Sequence, residues 1–283
     1  MSVLDSRLIP ARPDLAASHL KGQVEAERFV DPVDMQAVVP SSFIRREPGL
    51  KGAVDDQLLA GDIFAVLEER DGWAWGFSRA DGYVGWVELS SLSASVNPSD
   101  HRISALRSYA FSEPDLKSRP NMLLTMNSKF KAGRSKDRYI EAVGLGWVFK
   151  GHAQLLGEVS NDFVAVAEAF LGAPYLWGGK ESLGLDCSGL VQMALEAVGL
   201  SVPRDADQQE AFLQTVWEDV LSDPDRKRGD VVFWPGHVGI MTDSEHFLHA
   251  NAHTMDVTLE PFKEAEQRIC EKENPVRSIY RPL

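Results

Sequence analysis

The feature that most constrains this chain is an internal repeat in its N-terminal half. Glu47-Pro48-Gly49-Leu50-Lys51 recurs as Glu113-Pro114-Asp115-Leu116-Lys117, Leu58-Leu59 as Leu123-Leu124, and Gly85-Trp86-Val87 as Gly146-Trp147-Val148. The offset drifts only from 66 residues at the first match to 61 at the last. A unit of that size, built of short alternating apolar stretches between Gly and Pro turns, suits a small β-barrel repeated twice. In the first copy the stretches beginning at Gly61, Gly72 and Gly82 read as strands. The second copy is more divergent: Met126-Asn127 stands where Gly61-Asp62 stands in the first, and Leu145 precedes Gly146 with no match for Tyr83.

The domain reading that follows is 1–30 an N-terminal arm, 31–96 a first barrel, 97–156 a second, and 157–283 a separate C-terminal domain. In the arm, Asp14 can cap a helix whose face is Leu15, His19, Leu20 and Val24, so the spacing predicts a helical segment. Residues Met1 to Leu20 lack a basic start followed by an apolar run, so no secretory signal is expected there. No stretch approaches a membrane span. Two cysteines, Cys187 and Cys270, do not indicate a disulfide framework, and a reducing cytoplasm is the expected location. A net charge of −13 argues against nucleic-acid partners and against docking on an anionic membrane surface.

In the C-terminal domain, Asp186-Cys187-Ser188-Gly189-Leu190 places a cysteine where a loop becomes a helix. Leu190, Val191, Ala194, Leu195 and Val198 recur at helical spacing and Gly199 stops it. The unpaired N–H groups of a helix N-terminus favour an anion, so a thiol there is expected to lose its proton more readily. Downstream, His237-Val238-Gly239-Ile240-Met241 and Phe247-Leu248-His249-Ala250-Asn251 read as two strands of a hairpin. A turn centred on Asp243 would put His237 directly opposite His249. One imidazole could then act as base for the thiol and the other hold its tautomer. A zinc site from His237, His249, His253 and Cys187 is disfavoured, because no compact ligand pair includes the cysteine, and no cofactor is expected.

Tyr175-Leu176-Trp177-Gly178-Gly179, the Asp186 to Leu190 segment, Gly236-His237-Val238-Gly239-Ile240 and His249-Ala250-Asn251 together resemble the NlpC family of papain-like cysteine peptidases. The likeness runs from about Glu158 to the C-terminus, and the preceding copies resemble the bacterial SH3-like barrels that accompany such domains. It implies an α+β fold: a papain-like peptidase domain preceded by two SH3-like β-barrels. It implies Cys187 as nucleophile, His237 as base and His249 as its orienter, with Tyr175 beside the oxyanion hole.

In the branch that trims free wall peptides, the first barrel lends a tyrosine and an acid to recognise the substrate's N-terminal amine. Tyr83 and Asp62 are the matching positions; the resemblance further implies that Asp186 pairs with the same ammonium and Ser188 with the substrate's peptide groups, and Trp177 is the remaining substrate-binding candidate. Where related enzymes carry a serine two residues after Arg204, this chain has Ala206, which removes one expected substrate hydrogen bond. Arg204 itself reads as a structural ion pair, and Trp73, Trp75 and Trp86 as barrel packing. The implied activity is hydrolysis of the γ-D-glutamyl to diamino acid bond in peptidoglycan-derived peptides of the L-Ala-γ-D-Glu-diaminopimelate type, for recycling. Two other classes remain open: a wall-peptide binding or sensing protein with a degenerate site, and a thiol amidase or acyltransferase of other substrate.

Overall fold

Ile44, Leu58, Phe64, Val66, Ala74 and Val87 come from five short strands and close on one another in a single buried cluster. That convergence is what period-2 patterning demands when one face of a curved sheet is dry. The computed structural model describes residues 5–272 and 275–283 of the chain. These fall into two units, Met1–Leu156 and Gly157–Leu283.

In the first unit, five strands lie in the order Val54–Leu59, Ser41–Arg45, Val84–Glu88, Trp73–Ser78, Ile63–Arg70. The same order returns as Pro120–Thr125, Arg107–Phe111, Gly146–Phe149, Tyr139–Ala142, Ala132–Lys136. The sequence repeat is therefore a repeat of topology, each copy with its own core; the second is built on Ile103, Ala110, Leu124, Phe130 and Val148.

The helix expected in residues 14–24 is not formed. Leu15–Ala17 is a strand, paired antiparallel with Ala11–Arg12 and parallel with Phe29–Val30, and only Ser18–Leu20 makes a single 3-10 turn. Leu15, Ala17 and Leu20 are buried against Leu67, Trp75 and Trp86, and the Arg12 guanidinium lies 4.1 Å from the Trp75 ring centre. A short helix would have to meet its nucleation cost alone, whereas the extended segment covers two indoles and gains that apolar burial.

The second unit is an antiparallel sheet in the order Glu218–Asp219, Ser278–Arg281, Val231–Trp234, His237–Met241, His246–Asn251, Asp256–Pro261. Among the described residues four helices accompany it: α1 (Phe163–Glu168), α2 (Cys187–Ala197), α3 (Ala206–Val216) and α4 (Phe262–Lys272). Val231, Val232, Phe233 and Trp234 are all buried, as in a central strand covered on both faces. Helix α2 packs on the His237–Met241 and His246–Asn251 strands. Helix α4 seats Phe262, Ala265 and Ile269 on the side carrying Trp234, Met241 and Phe247. No helix among the described residues is long and apolar enough to cross a membrane.

Candidate active site

Cys187 is the first residue of α2, and Asp186 is its N-cap, accepting the Gly189 N–H at 2.8 Å. The Asp186 carboxylate has further donors: the Gly178 N–H at 2.8 Å, the Ser188 hydroxyl at 3.2 Å, and Arg204 at 2.9 and 2.7 Å. Arg204 is fully buried and also donates to Ser188 Oγ and the Gly179 carbonyl. An ionised pair so enclosed is tolerable only because each oxygen and nitrogen finds partners. Arg204 is thus the clamp that welds the 178–179 loop to the start of α2. The two flanking residues expected to touch substrate, Asp186 and Ser188, are both built into it.

The two histidines come from adjacent strands. Pro235-Gly236 is the two-residue turn that pairs Trp234 with His237; proline before a glycine at φ +75° is the pattern of a type II turn. It puts His237 at the first position of its strand. The next hairpin departs from expectation. Ile240 pairs with Leu248 and Met241 with Phe247, so the turn centres on Ser244 rather than Asp243. Thr242 N–H bonds to the His246 carbonyl, and the Asp243 carboxylate accepts the N–H groups of Glu245 and His246, a side-chain-stabilised loop two residues longer on its far side. In that register the residue opposite His249 is Gly239, and His237 reaches His249 on the diagonal.

The missing side chain is what permits this. A Cβ on Gly239 would lie 2.3 Å from the Phe247 ring and 2.8 Å from His249 Cβ. With glycine there, His237 Nε2 meets His249 Nδ1 at 2.7 Å, with ring centroids 5.0 Å apart. The array continues beyond the residues read from sequence: His249 Nε2 lies 2.7 Å from Glu260 Oε1, and Arg268 donates to both Glu260 oxygens at 2.7 and 2.5 Å. Glu260 is the penultimate residue of the outer strand and Arg268 sits on α4. The sequence signal available was weak: Glu260 shares the Phe247 and His249 face by strand alternation, but the strand reads as ending at Leu259.

The thiol is not the depressed-pKa group that its helix position suggested. Burial first, and the Asp186 charge second, push Cys187 up to about 12, against the backbone N–H groups of Val238 and Ser188 and the Arg204 charge. The helix terminus is outweighed because the sulfur is nearly without solvent. Burial likewise lowers His237, with neighbouring His249 adding to it, to about 3, and lowers His249 against the pull of Glu260. At neutral pH the resting site is a neutral thiol beside neutral imidazoles. Burial opposes ionisation of Glu260 as well, but its bonds from Arg268 and His249 overcome that and hold it at about 2.

A cleft of about 520 Å³ opens over His237 and His249, walled by Tyr175, Trp177, His253 and Arg268. Tyr175 is half-buried and Trp177 is 59% exposed on the rim. In the first unit, Tyr83 is buried in the core with Ile44, Leu58 and Phe64. Asp62 is buried too, accepting the Leu59 N–H at 2.8 Å and pairing with Lys129 at 3.1 Å. Ala206 opens α3 and is buried.

Two family models match the chain: the NlpC/P60 family over residues 172–271, and the bacterial dipeptidyl-peptidase SH3 domain over residues 44–92. Dipeptidyl-peptidase 6 of Lysinibacillus sphaericus is 25% identical over 77% of this chain and 88% of its own length. The gamma-D-glutamyl-L-lysine dipeptidyl-peptidase of Bacillus subtilis is 27% identical over 70% of this chain and 72% of its own. Among solved structures, an NlpC/P60 family protein from Bacillus cereus superposes with a TM-score of 0.74, covering 88% of this chain and 99% of that one at 15% identity, a likeness of fold. Cys187 and the cleft over His237 and His249 therefore lie in a domain of the NlpC/P60 family, and a bacterial dipeptidyl-peptidase SH3 domain precedes it in the chain.

Proposed function

We propose that the chain is a cysteine peptidase that hydrolyses the γ-D-glutamyl to diamino acid bond of peptidoglycan stem peptides bearing a free N-terminal L-Ala. The observation that carries the reading is the hydrogen-bonded His237–His249 pair on two adjacent strands that both pack against the cysteine helix. The name of the Bacillus subtilis relative, a gamma-D-glutamyl-L-lysine dipeptidyl-peptidase, supplies the bond class.

In this reading, Cys187 Sγ attacks the γ-carbonyl as its proton passes to His237. The backbone N–H of Cys187, with the Tyr175 hydroxyl beside the cleft, holds the oxyanion. His237 returns the proton to the leaving amine, and water then releases the acyl group. Because thiol and imidazole rest neutral, His237 works as a general base during attack rather than as half of a standing ion pair. Trp177 on the rim offers an apolar face to the peptide.

Amine recognition is the finer part of the proposal. Tyr83, Asp62 and Asp186 were expected to supply it, and each has partners of its own in the fold, as described above; a direct comparison of free and acetylated substrate decides it. We also propose that residues 97–156 are a second SH3-like barrel, supported by the repeated strand order, and that the enzyme works on recycled wall peptides in a reducing cytoplasm, which suits two free thiols.

The test is mass-spectrometric cleavage of L-Ala-γ-D-Glu-L-Lys and its diaminopimelate counterpart, amine free and amine acetylated, by wild type and Cys187→Ala. Release of L-Ala-D-Glu only from free-amine peptide, and only by wild type, is the expected result. Cleavage of acetylated peptide as well removes the amine requirement. Absence of cleavage in every arm overturns the reading in favour of a binding protein or another thiol chemistry.

A further inference from the structure

The site holds an acidic group that the cysteine–histidine–histidine scheme does not use. Glu260 accepts from His249 Nε2 at 2.7 Å, and Arg268 grips both of its oxygens. An ionised carboxylate can only accept, so the proton between them resides on His249 Nε2. A neutral imidazole carries one ring proton, so His249 Nδ1 is bare and is an acceptor. His237 Nε2, 2.7 Å away, must therefore be the donor in that contact. One end of the array thus settles the proton at every other position.

We infer that Glu260 is a positioning residue that fixes both imidazoles in the Nε2–H tautomer, leaving Nδ1 of His237 as the nitrogen able to take the proton of Cys187. The inference rests on the peptidase reading of this site. With the opposite tautomer, His237 would carry its proton on Nδ1 and have no lone pair for the thiol. When substrate is attacked, the S–H bond breaks as the S–C bond forms, and the proton goes to His237 Nδ1. The imidazolium so formed keeps its Nε2–H donated to His249, which in turn faces the Glu260 carboxylate. The same proton leaves on the departing amine, and the array returns to its starting state.

Arg268 holds Glu260 ionised and in place, and Asp256 is the other acid whose charge reaches His249. Asp256 accepts from the Thr258 hydroxyl in its own strand, so among the described residues it is Glu260 that makes the contact that sets the tautomer.

The experiment is ¹⁵N NMR of the imidazoles at neutral pH on full-length protein labelled at histidine, with signals assigned from single His→Gln variants. It needs no substrate and so stands whether or not the substrate reading does. In wild type, His237 and His249 are each expected to show a protonated-type Nε2 and a bare-type Nδ1. A wild-type His237 protonated on Nδ1 overturns the inference outright. In Glu260→Gln, whose amide can donate as well as accept, a second tautomer of both rings is expected. On L-Ala-γ-D-Glu-L-Lys, kcat should fall about tenfold or more with KM within about threefold, since a general base contributes on the order of a hundredfold or more. A Glu260→Gln spectrum identical to wild type overturns the inference whatever the turnover.

Discussion

The cysteine segment and the histidine pair are held by opposite means. On the cysteine side, Asp186, Ser188 and Gly189 lie within three residues of one another, and one buried arginine 18 positions on from Asp186 completes the clamp. On the histidine side, the array runs through the adjacent strands of His237, His249 and Glu260 and onto Arg268 of a helix. The first is a local motif with one long-range clasp, so its failure is a failure of folding. The second is a linear relay of side-chain hydrogen bonds, so its failure is one of chemistry. Substitutions on the two sides should separate stability from turnover.

The largest expected effect is Arg204→Met. It strips two charged donors from a carboxylate that is 95% buried, and removing one partner of such a pair costs roughly 3–5 kcal/mol. Urea unfolding followed by tryptophan fluorescence, with the C-terminal transition resolved, reads this as a lowered midpoint; an unchanged midpoint would refute the clamp. Next comes Gly239→Ala. Its methyl group needs space held by Phe247 and His249, so turnover should drop by about a hundredfold, a few kcal/mol of barrier, with a stability loss of roughly 1–3 kcal/mol. Activity that survives with the fold intact would show that the diagonal contact is dispensable.

Smaller in scale but sharper in meaning is the thiol titration. With Cys187 raised to about 12, thiolate absorbance near 240 nm, taken as wild type minus Cys187→Ala, should be absent at pH 7 and still small at pH 9. A plateau below neutral pH would mean a standing ion pair instead.

Glu260 gives a modest acid effect. Its folded pKa of about 2 lies below the ordinary 4.5, so its contribution to stability is complete above that ordinary value and drains away as pH falls toward 2. Glu260→Gln should flatten that part of the acid-unfolding curve. The smallest effect is on the exposed Arg134–Glu141 pair of the first unit: Arg134→Ala should leave the melting temperature unchanged within error.

Much of the cysteine side was legible because its signals are local. A helix stop at Gly199, an N-cap acid and apolar spacing set α2 without reference to anything distant, and the repeat announced its strand pattern in the same way. The hairpin was legible as two strands but not in register. Register depends on which groups the loop's side chains satisfy, and the Asp243 carboxylate drew two downstream N–H groups and moved the centre to Ser244.

The N-terminal arm misled for a related reason. Leu15 and Leu20 fit a helix as well as a strand in so short a stretch, and two distant tryptophans made the choice. The lowered thiol pKa expected at a helix start was a sound local argument, overruled by burial that depends on the folded sheet.

The sequence by itself determined the building blocks: the repeated strand pattern, the cysteine at a helix start and the two histidines on strands. Those follow from propensity, capping and periodicity, which act over a few residues. Only the tertiary structure decided which side chains close the circuit: Glu260 with Arg268 behind the histidines, Arg204 beneath Asp186, Tyr83 and Asp62 inside their own unit. Hydrogen bonds and desolvation act over about 3 Å in space and take no account of separation along the chain.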